Sequence, residues 1–457
     1  MHRLPTLTRS LRLSRLYLPR CRTTLPSSTA RWNSTIPSPQ TPHTPVEDII
    51  LNHIKLTGPI SFATYMQLCL SHPDHGYYMN PANKVFGAGG DFITSPEISQ
   101  VFGELIALWL LQEYMRTAKG APLRIVELGP GKGTLLGDVL RVILKFAPQK
   151  SLNVHLVETS LALRDIQKGH LTSQNHSNVH LHWHNSISEI PPSSSEYTML
   201  VAHEFFDALP VHILQKKKET EQWHEVLIAS KDDKVRAPEG DEVAQEVPSP
   251  VSEESPGTLR SVLASKPSSV GAVLGLSSAR FGEMPEESFL EVSPTAFRIA
   301  RKVGELLTRG QPEDEHASLG GCGLIIDYGG ARAYSDSLRA FKNHEIVDIF
   351  HEPGKCDITA NVDFAYLRES MEDIVTPLGP TSQGSFLAKM GLGVRLRTLL
   401  QAAATEERQQ AIHSAAMRLI DPKGMGGQYQ VLGITGERSK DPNAPPLEIW
   451  PFVQEKM

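Results

Sequence analysis

No stretch of eighteen or more apolar residues occurs in the 457-residue chain, so no integral membrane segment is expected. Cysteine is scarce. Cys21, Cys69, Cys322 and Cys356 are scattered without a CxxC spacing, which argues against a structural zinc site and a disulfide framework and suits a reducing compartment. Internal repeats are missing too, which sets solenoid architectures aside. The rest of the composition, 40% hydrophobic and 21% charged, is that of a globular protein, long enough for one elaborated domain or two to three smaller ones.

The first 46 residues lack something else: they hold no lysine and no acid. They carry seven arginines (Arg3, Arg9, Arg12, Arg15, Arg20, Arg22, Arg31), many serines and threonines, and Leu4, Leu7 and Leu11 at spacings that share a helical face. A basic, amphipathic, acid-free start is the composition of a mitochondrial transit peptide; the plain alternative is a disordered basic tail. Without those seven arginines, 38 basic residues face 51 acids, a net charge of −13. Such a body is a poor nucleic-acid binder, because phosphate contacts need clustered positive charge, and it suits a basic protein partner.

From Val46 to Ala118 the apolar spacing is mainly helical. Ser95-Pro96-Glu97 reads as a helix start, with Ser95 as N-cap and Pro96 in the first turn, followed by Val101, Phe102, Leu105, Ile106, Trp109 and Leu110 at helical spacing. Short apolar runs then alternate with helical stretches, the pattern of a parallel α/β sheet. Strands are expected at 123–128, 154–158, 179–183, 197–202, 324–328 and 429–434, with helices at 134–146, 161–169 and 294–309. Residues 231–256 are rich in Glu, Asp, Ser and Pro with little to bury, and read as a disordered surface loop. Lys216-Lys-Lys218 reads as a solvated hairpin turn. His182 and His184 share a strand face without a further ligand, so no metal site is expected, and Cys322 and Cys356 read as buried small residues.

The strongest local signal is Val126-Glu-Leu-Gly-Pro-Gly-Lys-Gly-Thr134, between an expected strand and an expected helix. Glycines at alternate positions let the backbone turn tightly and approach a ligand. A P-loop reading fails, because Gly133 follows Lys132 where Ser or Thr is required. A dinucleotide reading wants GxGxxG, whereas here the glycines are Gly129, Gly131 and Gly133, followed by Thr134. Glu127 at the strand end repels a pyrophosphate but pairs with the ammonium of a methionine moiety, which favours S-adenosylmethionine. Glu158 ends the second strand across the crevice, where an acid accepts both ribose hydroxyls; its bland reading is a solvated strand-end acid. Asn185 and Ser186, after the third strand, are candidates for adenine contacts.

The fourth strand runs into His203-Glu-Phe-Phe-Asp-Ala-Leu-Pro210. Glu204 and Asp207 are candidates to hold a cationic acceptor such as a guanidinium, since a carboxylate pair can orient it and take its proton. Asp207 equally reads as the cap of a following helix. Phe205 and Phe206 are candidates for the pocket wall, at least one of them more naturally a core residue.

These motifs, in this order, resemble one family. The match includes Gly90-Asp-Phe-Ile-Thr-Ser-Pro-Glu-Ile-Ser99, Phe102-Gly-Glu-Leu-Ile106, Glu127-Leu-Gly-Pro-Gly131, Glu204-Phe-Phe-Asp-Ala-Leu-Pro210, Asp327-Tyr-Gly329, Ser337-Leu-Arg339, Pro353-Gly354, Asp357-Ile-Thr-Ala-Asn-Val-Asp363 and Gln383-Gly-Ser-Phe-Leu387. They resemble the MidA family, the mitochondrial complex I assembly factor arginine methyltransferases and their bacterial relatives. The resemblance implies an α/β class I S-adenosylmethionine-dependent methyltransferase fold, Rossmann-like, with an N-terminal helical region and a C-terminal family-specific elaboration. It implies a type II, symmetric dimethylarginine-forming enzyme of the mitochondrial matrix, acting on a core matrix-arm subunit of complex I during assembly. A cofactor-binding assembly chaperone with little turnover is the alternative. One departure stands out: His203 takes a place where relatives commonly have Asn, and it is expected to add pH dependence. The expected organisation is a transit peptide over 1–45, a helical region over 46–120, the first part of the core over 121–230, an acidic insert and flank over 231–288, the second part of the core over 289–335, and a family-specific region over 336–457.

Overall fold

The computed structural model describes residues 43–83, 93–174, 176–232, 257–310, 317–438 and 447–453. The expected transit peptide, but for its last three residues, lies outside this range, as do Cys21, the glycine-rich loop at 87–90 and residues 233–256 of the acidic stretch.

Eight strands form the large sheet; seven make its continuous path and are numbered here in chain order, β1 Leu123–Leu128, β2 Leu152–Val157, β3 Val179–His184, β4 Tyr197–His203, β5 Gly321–Gly330, β6 Thr376–Ser382 and β7 Tyr429–Thr435, while the short Val362–Asp363 pairs off the path with the end of β5. Their spatial order is β3-β2-β1-β4-β5-β7-β6. The first five of these are mutually parallel, while β7 runs antiparallel to both β5 and β6. The order reverses between β1 and β4, so a crevice opens at their carboxyl ends. This arrangement carries the α/β Rossmann-like fold expected from the alternating pattern. Every residue of β1 and β4 is buried, which is why both strands read as nearly continuous apolar runs. The buried exception Arg124 is satisfied by Thr198 Oγ1 at 2.9 Å and the Pro191 carbonyl at 2.8 Å.

Helices Gln100–Thr117 and Thr134–Phe146 share one buried cluster with the sheet, around Phe102, Trp109 and Leu140. Helices Pro294–Leu307 and Phe364–Glu369 share another, around Ala300, Leu307 and Phe364. Ser293 Oγ accepts from Ala296 N at 3.1 Å, and Pro294 stands in the first turn, so that helix begins where its sequence signal lies.

Between β4 and β5 the chain builds a second, antiparallel sheet from His212–Lys216, Trp223–Ser230, Leu259–Leu263 and Phe289–Val292, with Ile60–Ser61 added at its edge. Helices Pro45–Thr57 and Phe62–Ser71 pack on it through Ile50, Phe62 and Tyr65. The N-terminal helical region is thus divided, its first two helices serving this sheet and its last the large one. Described parts of the 231–288 stretch are ordered elements: a strand of the second sheet and helices Ser269–Gly275 and Ala279–Gly282. The region after 336 supplies β6 and β7 together with a small sheet of Arg339–Lys342, Glu345–Val347 and Asp357–Thr359.

Three local expectations need correction. Ser95 does not cap the long helix: Thr94 holds the N-cap of a short turn, Ser95–Ile98, and Ser99 breaks the run. Its Oγ accepts from Val101 N at 3.3 Å and starts Gln100–Thr117. Asp207 caps no helix, because a turn and then the strand His212–Lys216 follow it. The Lys216–Lys218 corner is a hairpin turn as expected, but not simply solvated. Lys216 Nζ donates to the Gly282 and Met284 carbonyls, and Lys217 pairs with Glu287 at 3.3 Å.

Candidate active site

The glycine loop lies at the carboxyl end of β1. Gly129, Gly131 and Gly133 have φ of +65°, +52° and +83°, the left-handed region that a side chain disfavours. A Cβ on Gly129 would also come within 2.9 Å of the Phe205 ring. Gly133 is the N-cap residue of helix Thr134–Phe146, so the positive end of that helix faces the crevice. A cavity of about 410 Å3 opens there. Gly129, Gly131, Thr134, Glu127, Glu158, Asn185, Ser186, Glu204 and Asp207 all line it, whereas Gly133 shapes the turn from behind.

Glu127 is 3% exposed, and its Oε2 has no hydrogen-bond partner. Burial pushes its carboxyl up to about 8. A lone buried carboxylate is costly, so the position invites a cationic ligand group. Glu158 is better provided for: its Oε1 accepts from Ser160 N at 2.8 Å and its Oε2 from Gln167 Nε2 at 3.2 Å. Burial nonetheless raises it. The same Gln167 amide donates to the Gly131 carbonyl at 2.8 Å, and its Oε1 accepts from Trp183 Nε1 at 2.9 Å. Gln167 therefore ties the glycine loop to the strand-end acid. The unsatisfied Glu127 oxygen, the side-chain-free loop and a cavity of drug-like size fit the methionine, backbone approach and nucleoside of S-adenosylmethionine.

The other half of the cavity is acidic. Glu204 adopts φ +49°, a strained value for a residue with a side chain. The Tyr429 hydroxyl donates to its Oε1. Burial drives the Glu204 carboxyl up to about 8, and the fields of Asp207, Asp357 and Glu97 push the same way. Asp327, in the carboxyl half of β5, organises this corner. Its Oδ2 accepts from the backbone N–H groups of Phe205, Phe206 and Asp207 at 3.2, 2.9 and 3.3 Å, and its Oδ1 from Tyr328 N at 2.9 Å. Asp207 is buried and raised well above the usual carboxylate range by burial and by Asp327 and Asp357, against the relief of Arg339. Phe205 faces the cavity, while Phe206 sits in the core.

His203 corrects an expectation. Burial lowers its imidazole to about 3, so it stays neutral through the physiological range and supplies no switch there. His182 and His184 gain a neighbour in His155, which stacks on both and meets His184 Nε2 at 3.0 Å through Nδ1. Among the described residues no group of three or more His, Cys, Asp or Glu is placed to hold a metal. Cys69, Cys322 and Cys356 are buried.

Sequence reasoning assigned no role to Glu97, Tyr328, Asp357 or Thr359, all on the cavity wall, nor to Asp327 and Tyr429 behind it. Glu97, Asp327, Tyr328, Asp357 and Thr359 stood inside quoted motifs, which was the available signal. Tyr429 carried none: it is the first residue of an antiparallel strand whose partner is β5, where it lies opposite Tyr328 with ring centroids 4.0 Å apart.

Residues 105–381 match the model of a family described as S-adenosyl-L-methionine-dependent methyltransferase. The chain is 37% identical over 410 residues to protein arginine methyltransferase NDUFAF7, mitochondrial, of Danio rerio, covering 84% of this chain and 86% of that one. It is 34% identical over 415 residues to the Homo sapiens protein of that name, at 86% and 84% coverage. It is 38% identical over 399 residues to the Drosophila melanogaster homolog, at 83% and 82%. Its fold is similar to that of a Burkholderia thailandensis superfamily member solved bound to S-adenosyl-homocysteine, with TM-score 0.65 and 24% identity over 85% of this chain and 91% of that one.

Proposed function

The chain belongs to the MidA family of S-adenosylmethionine-dependent methyltransferases, and from that premise we propose that it methylates arginine on a protein in the mitochondrial matrix. The observation that carries the reading is the acidic half of the cavity, where the partly buried carboxyl of Glu204 and the buried one of Asp207 stand beside the glycine loop and Glu127. A guanidinium is always charged and presents five N–H donors, so it needs carboxylates on arrival and a base for one proton. The names of the relatives, protein arginine methyltransferases labelled mitochondrial, support the same acceptor and compartment. Symmetric dimethylation, and a core matrix-arm subunit of complex I as the acceptor, follow from the family resemblance.

When bound, S-adenosylmethionine supplies an electrophilic methyl group on its sulfonium sulfur. Glu127 would pair with its ammonium, Glu158 would take the ribose hydroxyls, and Ser186 with Asn185 would border the adenine. Glu204 orients the guanidinium and accepts its proton. In the empty site the Glu204 carboxyl lies at about 8 and is mostly neutral at pH 7. An arriving cation lowers it, so the acid becomes a base only when the acceptor is in place. Asp207 adds to that field, and Phe205 closes the wall against water.

The test is incubation of the protein with methyl-tritiated S-adenosylmethionine and matrix extract from cells lacking it, followed by acid hydrolysis. Label is expected in symmetric dimethylarginine, and Glu204→Gln is expected to abolish it. Label confined to small molecules, or absent from arginine, overturns the arginine assignment. Assembly supported by a Glu204→Gln protein that transfers no methyl would favour the chaperone instead.

A further inference from the structure

The cavity contains one acid that neither cofactor binding nor the Glu204 corner uses. Glu97 is carried by the short turn Ser95–Ile98, which the Ser99 break holds apart from the long helix. Its side chain is 16% exposed and lines the cavity. Its Oε1 accepts from Lys132 Nζ of the glycine loop at 3.1 Å, and its buried Oε2 has no partner. Two further buried atoms on the same wall make no hydrogen bond: Nε2 of His203, 7% exposed and 3.7 Å from Glu204 Oε1, and Oγ1 of Thr359, 4% exposed. With Glu127 Oε2, four of the six buried side-chain atoms found without a partner among the described residues belong to residues lining this one cavity. The other two, on Gln215 and Ser261, belong to strands of the second sheet.

Buried polar atoms left unpaired in this way cost stability unless a ligand completes them. Glu127 answers to the cofactor, which leaves Glu97, His203 and Thr359. His203 is neutral, so its ring can accept or donate one hydrogen bond without adding charge. Thr359 offers a hydroxyl, and Glu97 a carboxylate within the electrostatic reach of Glu204. The ligand that fits is a cation with several N–H groups, large enough to reach two carboxylates at once.

We propose that Glu97 is the second carboxylate of the acceptor site, bracketing the substrate guanidinium opposite Glu204, with Lys132 holding its place until the acceptor arrives. The inference rests on the arginine reading above and names the residues that recognise the side chain. The Lys132 side chain is 37% exposed, so its pair with Glu97 is a solvent-screened one that a second cation can displace at modest cost. Because Lys132 belongs to the cofactor loop, the exchange also links acceptor entry to the loop that holds the cofactor.

Glu97→Gln keeps the shape and removes the charge. The tritium assay with full-length protein, run over a range of matrix-extract concentrations, reads acceptor recognition. Calorimetric titration with S-adenosylhomocysteine reads the cofactor side. Loss of a charge-assisted contact is expected to raise the half-saturating extract concentration by about tenfold to a hundredfold. The cofactor Kd is expected to stay within about twofold. Methylguanidinium, added as a competitor against a tetramethylammonium control for ionic strength, is expected to inhibit the variant about tenfold less well than wild type. Glu97→Asp, which keeps the charge on a shorter arm, is expected to fall between the two and carries the test if the Gln variant does not fold. Unchanged half-saturation and unchanged inhibition overturn the proposal while the arginine reading stands. A parallel loss of cofactor affinity overturns it too, by assigning Glu97 to the loop through Lys132. Wild-type label on something other than arginine removes the arginine reading first, and this proposal with it.

Discussion

If Glu127 holds the cofactor ammonium as proposed, cofactor binding has a pH dependence that can be calculated from its position. Burial alone moves its carboxyl to about 8, so at pH 7 only about one molecule in ten carries the charge that pairs with the ligand ammonium. If the ionised form is the one that binds, apparent affinity at pH 7 is about tenfold below its intrinsic value. The sign is fixed: a proton must leave on binding, so affinity rises with pH below 8. Between pH 6 and 7 the Kd of S-adenosylhomocysteine should fall about tenfold, worth about 1.4 kcal/mol, and between 8 and 9 less than about twofold. Calorimetry at pH 7 in buffers of different ionisation enthalpy should register about 0.9 proton released by this group. In Glu127→Gln that release should disappear and most of the slope below pH 8 with it, any remainder belonging to Glu158. A variant with the same slope and the same proton release as wild type would refute the reasoning, because the unpartnered carboxylate would then not be what meets the ammonium.

Three further outcomes follow from the same geometry. Gly131→Val places a β-branched residue at φ +52°, and S-adenosylhomocysteine affinity should drop at least about tenfold in a protein that still melts cooperatively by circular dichroism; wild-type affinity would mean that the loop does not approach the ligand. In Asp327→Asn both side-chain positions face backbone N–H donors, and an amide can accept on one side only. Denaturant melts should show a loss of about 1–3 kcal/mol, and single-turnover labelling should fall further than cofactor affinity; unchanged stability would contradict the anchoring role. The empty protein should also lose stability as pH rises from 6 to 8. The folded-state carboxyls of Glu127 and Glu204 lie at about 8, above their unfolded values, so the folded protein holds protons that the unfolded chain has released. Their stabilising share is complete below about pH 4 and fades through these raised pKa values, at up to about 1.4 kcal/mol per pH unit for each group. Scanning calorimetry should show a falling Tm, partly restored by S-adenosylhomocysteine; a Tm that rises over this range would contradict it.

Legibility in the sequence followed the range of the interactions. β1, at Leu123–Leu128, and its following helix Thr134–Phe146 were readable to the residue, because a buried parallel strand needs a continuous apolar run and the glycine turn punctuates it. The break at Ser99 was not. Val101, Phe102 and Leu105 continue the helical spacing, and only the side-chain bond from Ser99 to Val101 N shows where the long helix begins. The second sheet was also hidden. Strands 212–216 and 223–230 are buried along nearly their whole length without a period-two alternation, and nothing local says that they pair with each other and with Ile60–Ser61 rather than with the large sheet.

The site divides along the same line, and for a physical reason. The proposed cofactor half comes from β1, β2, β3 and the turns that follow them, so its residues lie within about sixty positions and carry local signals: alternate glycines and acids at strand ends. The acceptor half is assembled across the topological switch from five separate segments. Glu97 precedes the sheet, Glu204 follows β4, Asp327 lies in the carboxyl half of β5, Asp357 and Thr359 come from the small sheet, and Tyr429 opens β7. Tyr429 reaches this edge only because β7 is antiparallel, which brings its first residue to the same side as the last residues of β4 and β5. A parallel β7 would place its final residue there and leave Glu204 without that hydroxyl. On the proposed acceptor reading the inverted strand therefore bears on the chemistry as well as on closing the sheet: its first residue supplies the hydroxyl that donates to Glu204, a partly buried acid held at φ +49°.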